Sequence, residues 1–259
     1  MGKQAQLNVK LIAHSRLSYS FLNDNDWFLA SGNWHVTDGR LISLVAIRTC
    51  YSPFKPTEIL EKEAEKYFGR QASDGQGGTE ADRLFRQIVA SKHTSTLEHL
   101  TFTFAVEGIS RACLAQLTRH RVGFSYSVQS QRFVKFGTND KTGGFDYVVP
   151  SSIENCEKEF YYRGTAKQIY EKALKAAQDA YDDLRELGVP AEDARMVLPQ
   201  AALTNLIMTT NLRALLDFYS KRRQGSGAQW EIANLAEALR AEVVRVEPWL
   251  DQFFEKGGA

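Results

Sequence analysis

LTFTFAVEGISRACLAQLTRH, residues 100–120, changes its repeat partway along. Over 100–106, LTFTFAV, apolar and polar side chains alternate, the period of a half-buried strand. Residues 109–120, ISRACLAQLTRH, read as a helix. A strand that feeds a helix within 21 residues, in a chain without repeats, low-complexity tracts or an obvious linker, is most simply part of one mixed α+β domain spanning 1–259.

Working outward, residues 7–13, LNVKLIA, read as a short strand, and a loop-rich stretch follows to about residue 38. Residues 39–49 form a helix with Leu41, Leu44, Val45 and Ile47 on its apolar face, interrupted by Pro53 and Pro56. Residues 57–67 are expected to be an exposed helix capped by Thr57, and 80–91 a helix with Leu84, Ile88 and Val89 buried, the two separated by the flexible loop GRQASDGQGG. Beyond residue 120, a Ser-rich loop covers 122–131. Strands are expected to begin at Phe133, Val134 and Phe136 and to run over 144–149. The longest helix is placed at 155–187, ended by Gly188 and Pro190. A short helix at 190–197, a strand at 201–210, and helices at 211–222 and 228–246 complete the chain.

The composition excludes several classes. Thirty-two Lys and Arg against 31 Asp and Glu leave the chain nearly neutral, so bulk charge does not point to a nucleic-acid polymer or a membrane surface. Cys50, Cys113 and Cys156 are odd in number and lack CxxC spacing, so neither a disulfide framework nor a metal site is expected. Reduced thiols, no signal-like N-terminus and no apolar run of ~20 residues suit a cytoplasmic protein.

Charge concentrates locally. Residues 108–139 contain no Asp or Glu, yet they hold Arg111, Arg119, His120, Arg121, Arg132 and Lys135. One-signed charge beside hydroxyls and amides points to an anion site, against the plain alternatives of a chance patch or a subunit contact. At helical spacing Gln116, Arg119 and His120 share one face. The loop behind them, GFSYSVQSQRF, adds Ser125, Ser127, Gln129, Ser130 and Gln131, which suit a polar heterocycle and a phosphate.

RHRVGFSYSVQSQRF (119–133) resembles the signature of the flavin-dependent thymidylate synthases, in which RHR precedes a Ser-containing loop and an S-x-R-aromatic element. Further blocks fall in that family's order: AIRTCYS (46–52), HTSTLEHLTFTF (93–104), ARMVLP (194–199), TTNLRALLDF (209–218) and AQWEI (228–232). The resemblance covers roughly residues 40–250. The sequence departs from the pattern by an extra residue within Val122–Phe124, by Val128-Gln129 before Ser130, by an extra residue between Arg222-Arg223 and Ala228, and by Cys50 where Ser is commoner.

The resemblance implies an α+β domain with a central, mostly antiparallel sheet flanked by helices. It also implies a homotetramer whose shared active sites convert dUMP to dTMP with FAD, NADPH and 5,10-methylenetetrahydrofolate. By the same resemblance His93, Ser95, Glu98, Arg119, His120, Arg121, Ser127 and Asn211 contact the flavin. Gln116, Arg119, Gln129, Ser130, Gln131, Arg132, Arg195 and Arg222 hold the nucleotide. Arg195, Arg119 and Ser130 are the residues nearest the chemistry, with Ser130 assigned to binding because no adjacent base would activate it. Asn211 can also cap the helix it opens. Nothing resembles the Pro-Cys-His nucleophile of the unrelated cysteine-dependent thymidylate synthases; Cys113 is expected in the core and Cys156 at a helix start. The alternatives are flavin-dependent C5 modification of another uridine nucleotide such as UMP, hydroxymethyl installation, or a non-catalytic nucleotide- or RNA-binding relative.

Overall fold

A computed structural model describes residues 2–24 and 36–255. Along the chain run β1 (Asn8–His14), α1 (Tyr19–Asn23), α2 (Asp38–Thr49), α3 (Ile59–Phe68), α4 (Glu80–Ala90), β2 (Thr101–Ser110), α5 (Arg111–Leu117), β3 (Phe124–Val128), α6 (Ser151–Glu154), β4 (Glu159–Phe160) and β5 (Gly164–Thr165). Then follow α7 (Ala166–Glu186), α8 (Ala191–Ala194), β6 (Leu203–Asn211), α9 (Leu212–Arg222), α10 (Trp230–Val246) and α11 (Asp251–Glu255), with 3-10 turns at Pro56–Glu58, Thr94–His99, Arg195–Val197 and Pro248–Leu250. Much of the expected loop before residue 38 lies outside the described residues, and α1 falls in its described part.

Four strands form one sheet in the order β1-β2-β6-β3. Its pairings run antiparallel, as the bonds show: Ser15 N to Thr101 O at 3.0 Å, Thr103 Oγ1 to Thr209 Oγ1 at 2.9 Å, Gln129 N to Asn205 O at 2.9 Å and Asn211 N to Gly123 O at 3.2 Å. The fold is therefore α+β with an antiparallel sheet, as the sequence predicts. Alternation in β2 buries Phe102, Phe104 and Val106 while Thr101 and Glu107 are exposed.

The chain divides into two compact units, and each of the four strands contributes to both. The first comprises 2–9, 105–120 and 126–207. Its core packs Phe136, Phe145, Leu174, Tyr181, Ala194 and Ala202. Gln178 is buried there with its amide satisfied, donating to Phe136 O at 2.8 Å and accepting from Phe145 N at 3.0 Å. The second unit comprises 10–24, 36–104, 121–125 and 208–255. Leu44, Ile47, Ile59, Leu60, Phe85, Phe102, Phe104, Phe218 and Phe254 are fully buried in it. Here α2 receives an acid at its start from far along the chain. Buried Glu247 accepts from Gly39 N at 3.0 Å, from Trp249 Nε1 at 2.6 Å and from the Thr37 hydroxyl. A methyl group on Gly39 would stand 2.5 Å from that carboxylate, so only glycine fits.

Several expected elements are corrected. Pro56 opens a 3-10 turn in which Thr57 lies inside, so Thr57 is no cap; Lys55 N bonds Glu58 Oε2 at 3.3 Å instead. The long helix starts at Ala166 rather than 155, where Thr165 and Gln168 cap each other reciprocally at 3.0 and 3.3 Å. Residues 151–165 carry α6 and the β4-β5 hairpin, so Cys156 lies between them and not at a helix start. No strand forms at 133–136, where Val134 N turns back to Ser130 O at 3.0 Å. The segment 144–149 is reduced to bridges of Tyr147 with Gln4 and Ala202. The helical stop is as expected: Gly188 takes φ 87°, which favours glycine.

Candidate active site

The helix expected at 109–120 is shorter, Arg111–Leu117. Strand β2 runs on to Ser110, whose Oγ accepts from Cys113 N at 3.0 Å and starts α5 there. The helix stops at Leu117 with Thr118 as its cap, so Gln116, Arg119 and His120 do not share a helical face. The expected loop 122–131 contains β3 instead, an edge strand that places Tyr126 under the RHR turn. The Tyr126 hydroxyl donates to Leu117 O at 3.1 Å and His120 O at 2.8 Å, bracing the backbone between them. Burial pushes this phenol's pKa up, so it keeps its proton as a donor. Arg119 and Arg121 remain exposed and make no ion pair among the described residues.

The first unit holds a small polar cleft of ≈310 Å³ lined by Arg111, Gln131, Arg195, Met196, Leu198, Pro199 and Gln200. Arg111 stands at the start of α5, and Arg195 in the turn after α8, where its Nε donates to Glu192 O at 2.9 Å. The Arg111 guanidinium donates to the buried Thr204 hydroxyl at 3.4 Å. Burial first, and then the positive charge of Arg195, lower the Arg111 pKa. Neither guanidinium has a carboxylate partner among the described residues. Two like charges share a recess, and a bound anion would relieve both.

Around that cleft Gln131 is buried, whereas Arg132 is exposed and pairs with Glu192 at 2.8 Å. Ser130 Oγ accepts from Arg132 N at 3.2 Å, a local turn bond. Gln129 Oε1 accepts from Asn205 Nδ2 at 3.3 Å, tying β3 to β6. Gln116 is half-buried, and Ser127 is exposed on β3.

The second unit holds a cleft of ≈570 Å³ lined by Lys92, Thr94, Glu98, Val122, Gly123, Asn211, Arg213, Ala214 and Asp217. Asn211 ends β6 and caps α9, its Oδ1 accepting from Ala214 N at 2.9 Å. Gly123, in the lengthened loop, takes φ 74°. A methyl group there would stand 2.6 Å from Ala214 Cβ and 2.8 Å from Asn211 Nδ2. Glu98 pairs with Arg213 at 2.6 Å. His93 precedes the 3-10 turn Thr94–His99, and its Nδ1 lies 2.6 Å from the Tyr51 hydroxyl. Ser95 lines a different, mainly apolar cavity of ≈620 Å³ with Arg16, Phe21, Val45, Cys50 and His99. Arg222 is half-buried near the end of α9.

The structure thus brings Gln131 to Arg195 in one cleft and Glu98 to Asn211 in another. His93, Gln116, Arg119, His120, Arg121, Ser127, Gln129, Ser130, Arg132 and Arg222 line none of these three cavities. Sequence reasoning gave no individual role to Arg111, Tyr126 or Tyr51. The signal for Arg111 was present, since it is the first cation of the acid-free window. The bonds of Tyr126 and Tyr51 depend on tertiary geometry.

Comparison with known proteins follows the same residues. Positions 35–249 match the family model described as thymidylate synthase complementing protein. The flavin-dependent thymidylate synthase of Geobacter sulfurreducens is 41% identical over 214 residues, covering 83% of this chain and 81% of that protein. That of Clostridium tetani is 33% identical over 224 residues, covering 80% and 79%. In fold, the chain is similar to the crystal structure of the UMP/dUMP methylase PolB from Streptomyces cacaoi bound with 5-Br dUMP. The TM-score is 0.70 at 23% identity, covering 100% of this chain and 98% of that one.

Proposed function

Because the chain belongs to the flavin-dependent thymidylate synthases, a family of methyltransferase enzymes, we propose that it methylates dUMP at C5 to give dTMP. The carbon donor is 5,10-methylenetetrahydrofolate, with FAD as the redox cofactor and NADPH as the reductant. The observation that carries this reading is the pair of guanidiniums, Arg111 and Arg195, that share a cleft without a carboxylate partner among the described residues.

That cleft suits a pyrimidine nucleotide. The nucleotide brings a dianionic phosphate, which Arg111 can meet with paired N–H donors. Gln131 in the cleft offers donor and acceptor groups to the ribose and the base, and its chain neighbours Ser130 and Arg132, outside the lining, add a hydroxyl and a further cation to the nucleotide. Arg195 lies against the base in this reading. Uracil C5 is a weak nucleophile, and it attacks readily only as part of an enolate, formed when addition at C6 pushes the C5=C6 electrons toward the C4 carbonyl oxygen. A fixed guanidinium at that oxygen stabilises the enolate-like charge without reorganising, which is where preorganised cations are most effective. Arg119 supports the same charge from the RHR turn, which Tyr126 holds in place.

The residues present also fit a flavin nucleotide. Arg119 and Arg121 are exposed cations without ion pairs among the described residues, as diphosphate binding requires. The second cleft combines the Thr94 hydroxyl, the Asn211 amide and the Glu98–Arg213 pair with a wall at Gly123 that any larger residue would close. His93, Ser95, Glu98, Arg119, His120, Arg121, Ser127 and Asn211 would hold the group. FAD, when bound, supplies hydride-transfer chemistry that no amino-acid side chain can perform. Asn211 presents an amide whose position is fixed because its oxygen is committed to the cap of α9. The homotetramer with shared sites belongs to the same reading.

Incubating the purified protein with dUMP and with UMP, each with all three co-reactants, tests the proposal. It predicts dTMP from dUMP and little product from UMP; preferential methylation of UMP would replace dUMP as the substrate.

A further inference from the structure

The turn that follows α2 is fixed by a buried acid. Glu63, 6% exposed, accepts from Arg48 Nε at 2.5 Å and from Ser52 Oγ at 2.5 Å. Burial acts to raise its pKa, but the bonds from Arg48 and Ser52 outweigh it and hold the carboxyl below its ordinary value. Glu63 therefore stays ionised and keeps both donors. Arg48 Nη2 also donates to Tyr51 O at 3.3 Å, while Tyr51 N and Ser52 N both donate to Arg48 O, at 2.9 and 2.7 Å. The backbone of Tyr51 is thus tied on both sides, although the residue is 55% exposed. From this mount its hydroxyl reaches Nδ1 of His93 at 2.6 Å, with the rings edge to face at 5.7 Å.

We propose that Tyr51 is a positioning residue for His93: its phenol donates to Nδ1 and selects the tautomer with the proton on Nε2. A neutral imidazole has one donor and one acceptor nitrogen, and the bond made by one nitrogen decides the role of the other. With Nδ1 occupied as acceptor, Nε2 becomes a donor of fixed direction, and it has no protein acceptor among the described residues. A carbonyl oxygen or ring nitrogen of a flavin is the class of acceptor it suits. This inference rests on the reading of His93 as a flavin contact.

Histidine-selective ¹⁵N NMR at a pH where His93 is neutral reads the tautomer directly, in the wild-type protein and in Tyr51→Phe. The phenylalanine keeps the edge contact and removes only the hydroxyl. The expected result is an Nε2–H signature for wild-type His93, a shift toward mixed tautomers in Tyr51→Phe, and FAD affinity about fivefold weaker, with the thermal melting point unchanged. An unchanged tautomer in Tyr51→Phe, or a wild-type protein with the proton on Nδ1, overturns the positioning role. His93→Ala tests the underlying reading separately. If it leaves FAD affinity intact, His93 is no flavin contact. If it weakens FAD binding while Tyr51→Phe changes neither tautomer nor affinity, only the role of Tyr51 is lost.

Discussion

Arg111 and Arg195 repel one another in a shared recess, and the proposed function gives them different tasks that kinetics separate. Arg195→Ala is expected to lower kcat by about 100- to 1000-fold with saturating substrates, the cost of losing one preorganised donor at a developing charge. Near-normal turnover in that variant would remove Arg195 from the chemistry. Arg111→Ala is expected to raise the dUMP Kd on the order of tenfold to a hundredfold, as for loss of a charged hydrogen bond, and to leave kcat nearly unchanged. A large fall in kcat at saturation would contradict the phosphate role. Arg195 was legible in the sequence because it sits in the ARMVLP block. Arg111 was visible only as charge, because the shared cleft depends on α5 and the turn after α8 being packed together, a contact between residues 84 positions apart.

At the scale of elements, the RHR turn depends on a strand that the sequence disguised. FSYSV (124–128) is half polar, lies at the edge of the sheet and has only five residues, so its alternation is weak beside its serine content. What identifies it as a strand is pairing with β6, a long-range contact. The end of α5 was overestimated for a related reason. ISRACLAQLTRH has helical composition throughout, but β2 claims Ile109 and Ser110, and the Tyr126 hydroxyl takes the carbonyls of Leu117 and His120. Tyr126→Phe leaves those two carbonyls without that donor. It is expected to cost about 1 kcal/mol of stability, read by urea unfolding, and to loosen the turn enough to weaken FAD binding severalfold. Unchanged stability and unchanged FAD affinity would show that the phenol is not a brace. Elements set by strong local rules came through intact: α2 by its apolar stripe, α9 by Asn211, and the stop of α7 by Gly188.

Over the whole molecule, the mixed architecture was readable because the chain switches repeatedly between periods of two and 3.6 residues. The β4-β5 hairpin and the terminal turn and helix at 248–255 were not, being too short to carry a period. The family's blocks were readable in the sequence, but the bonds that brace their side chains were not, because Tyr51 meets His93 across 42 positions of chain and Tyr126 reaches back over its own turn. The proposed function makes one chemical demand of these blocks, a pyrimidine nucleotide held by cations and supplied with hydride by a flavin. The most direct test is dTMP formation from dUMP by the purified protein, with FAD, NADPH and methylenetetrahydrofolate each left out in turn. The account predicts product only in the complete mixture. Undiminished dTMP formation by flavin-stripped protein, or no dTMP from the complete mixture while FAD and dUMP are both bound, would contradict it.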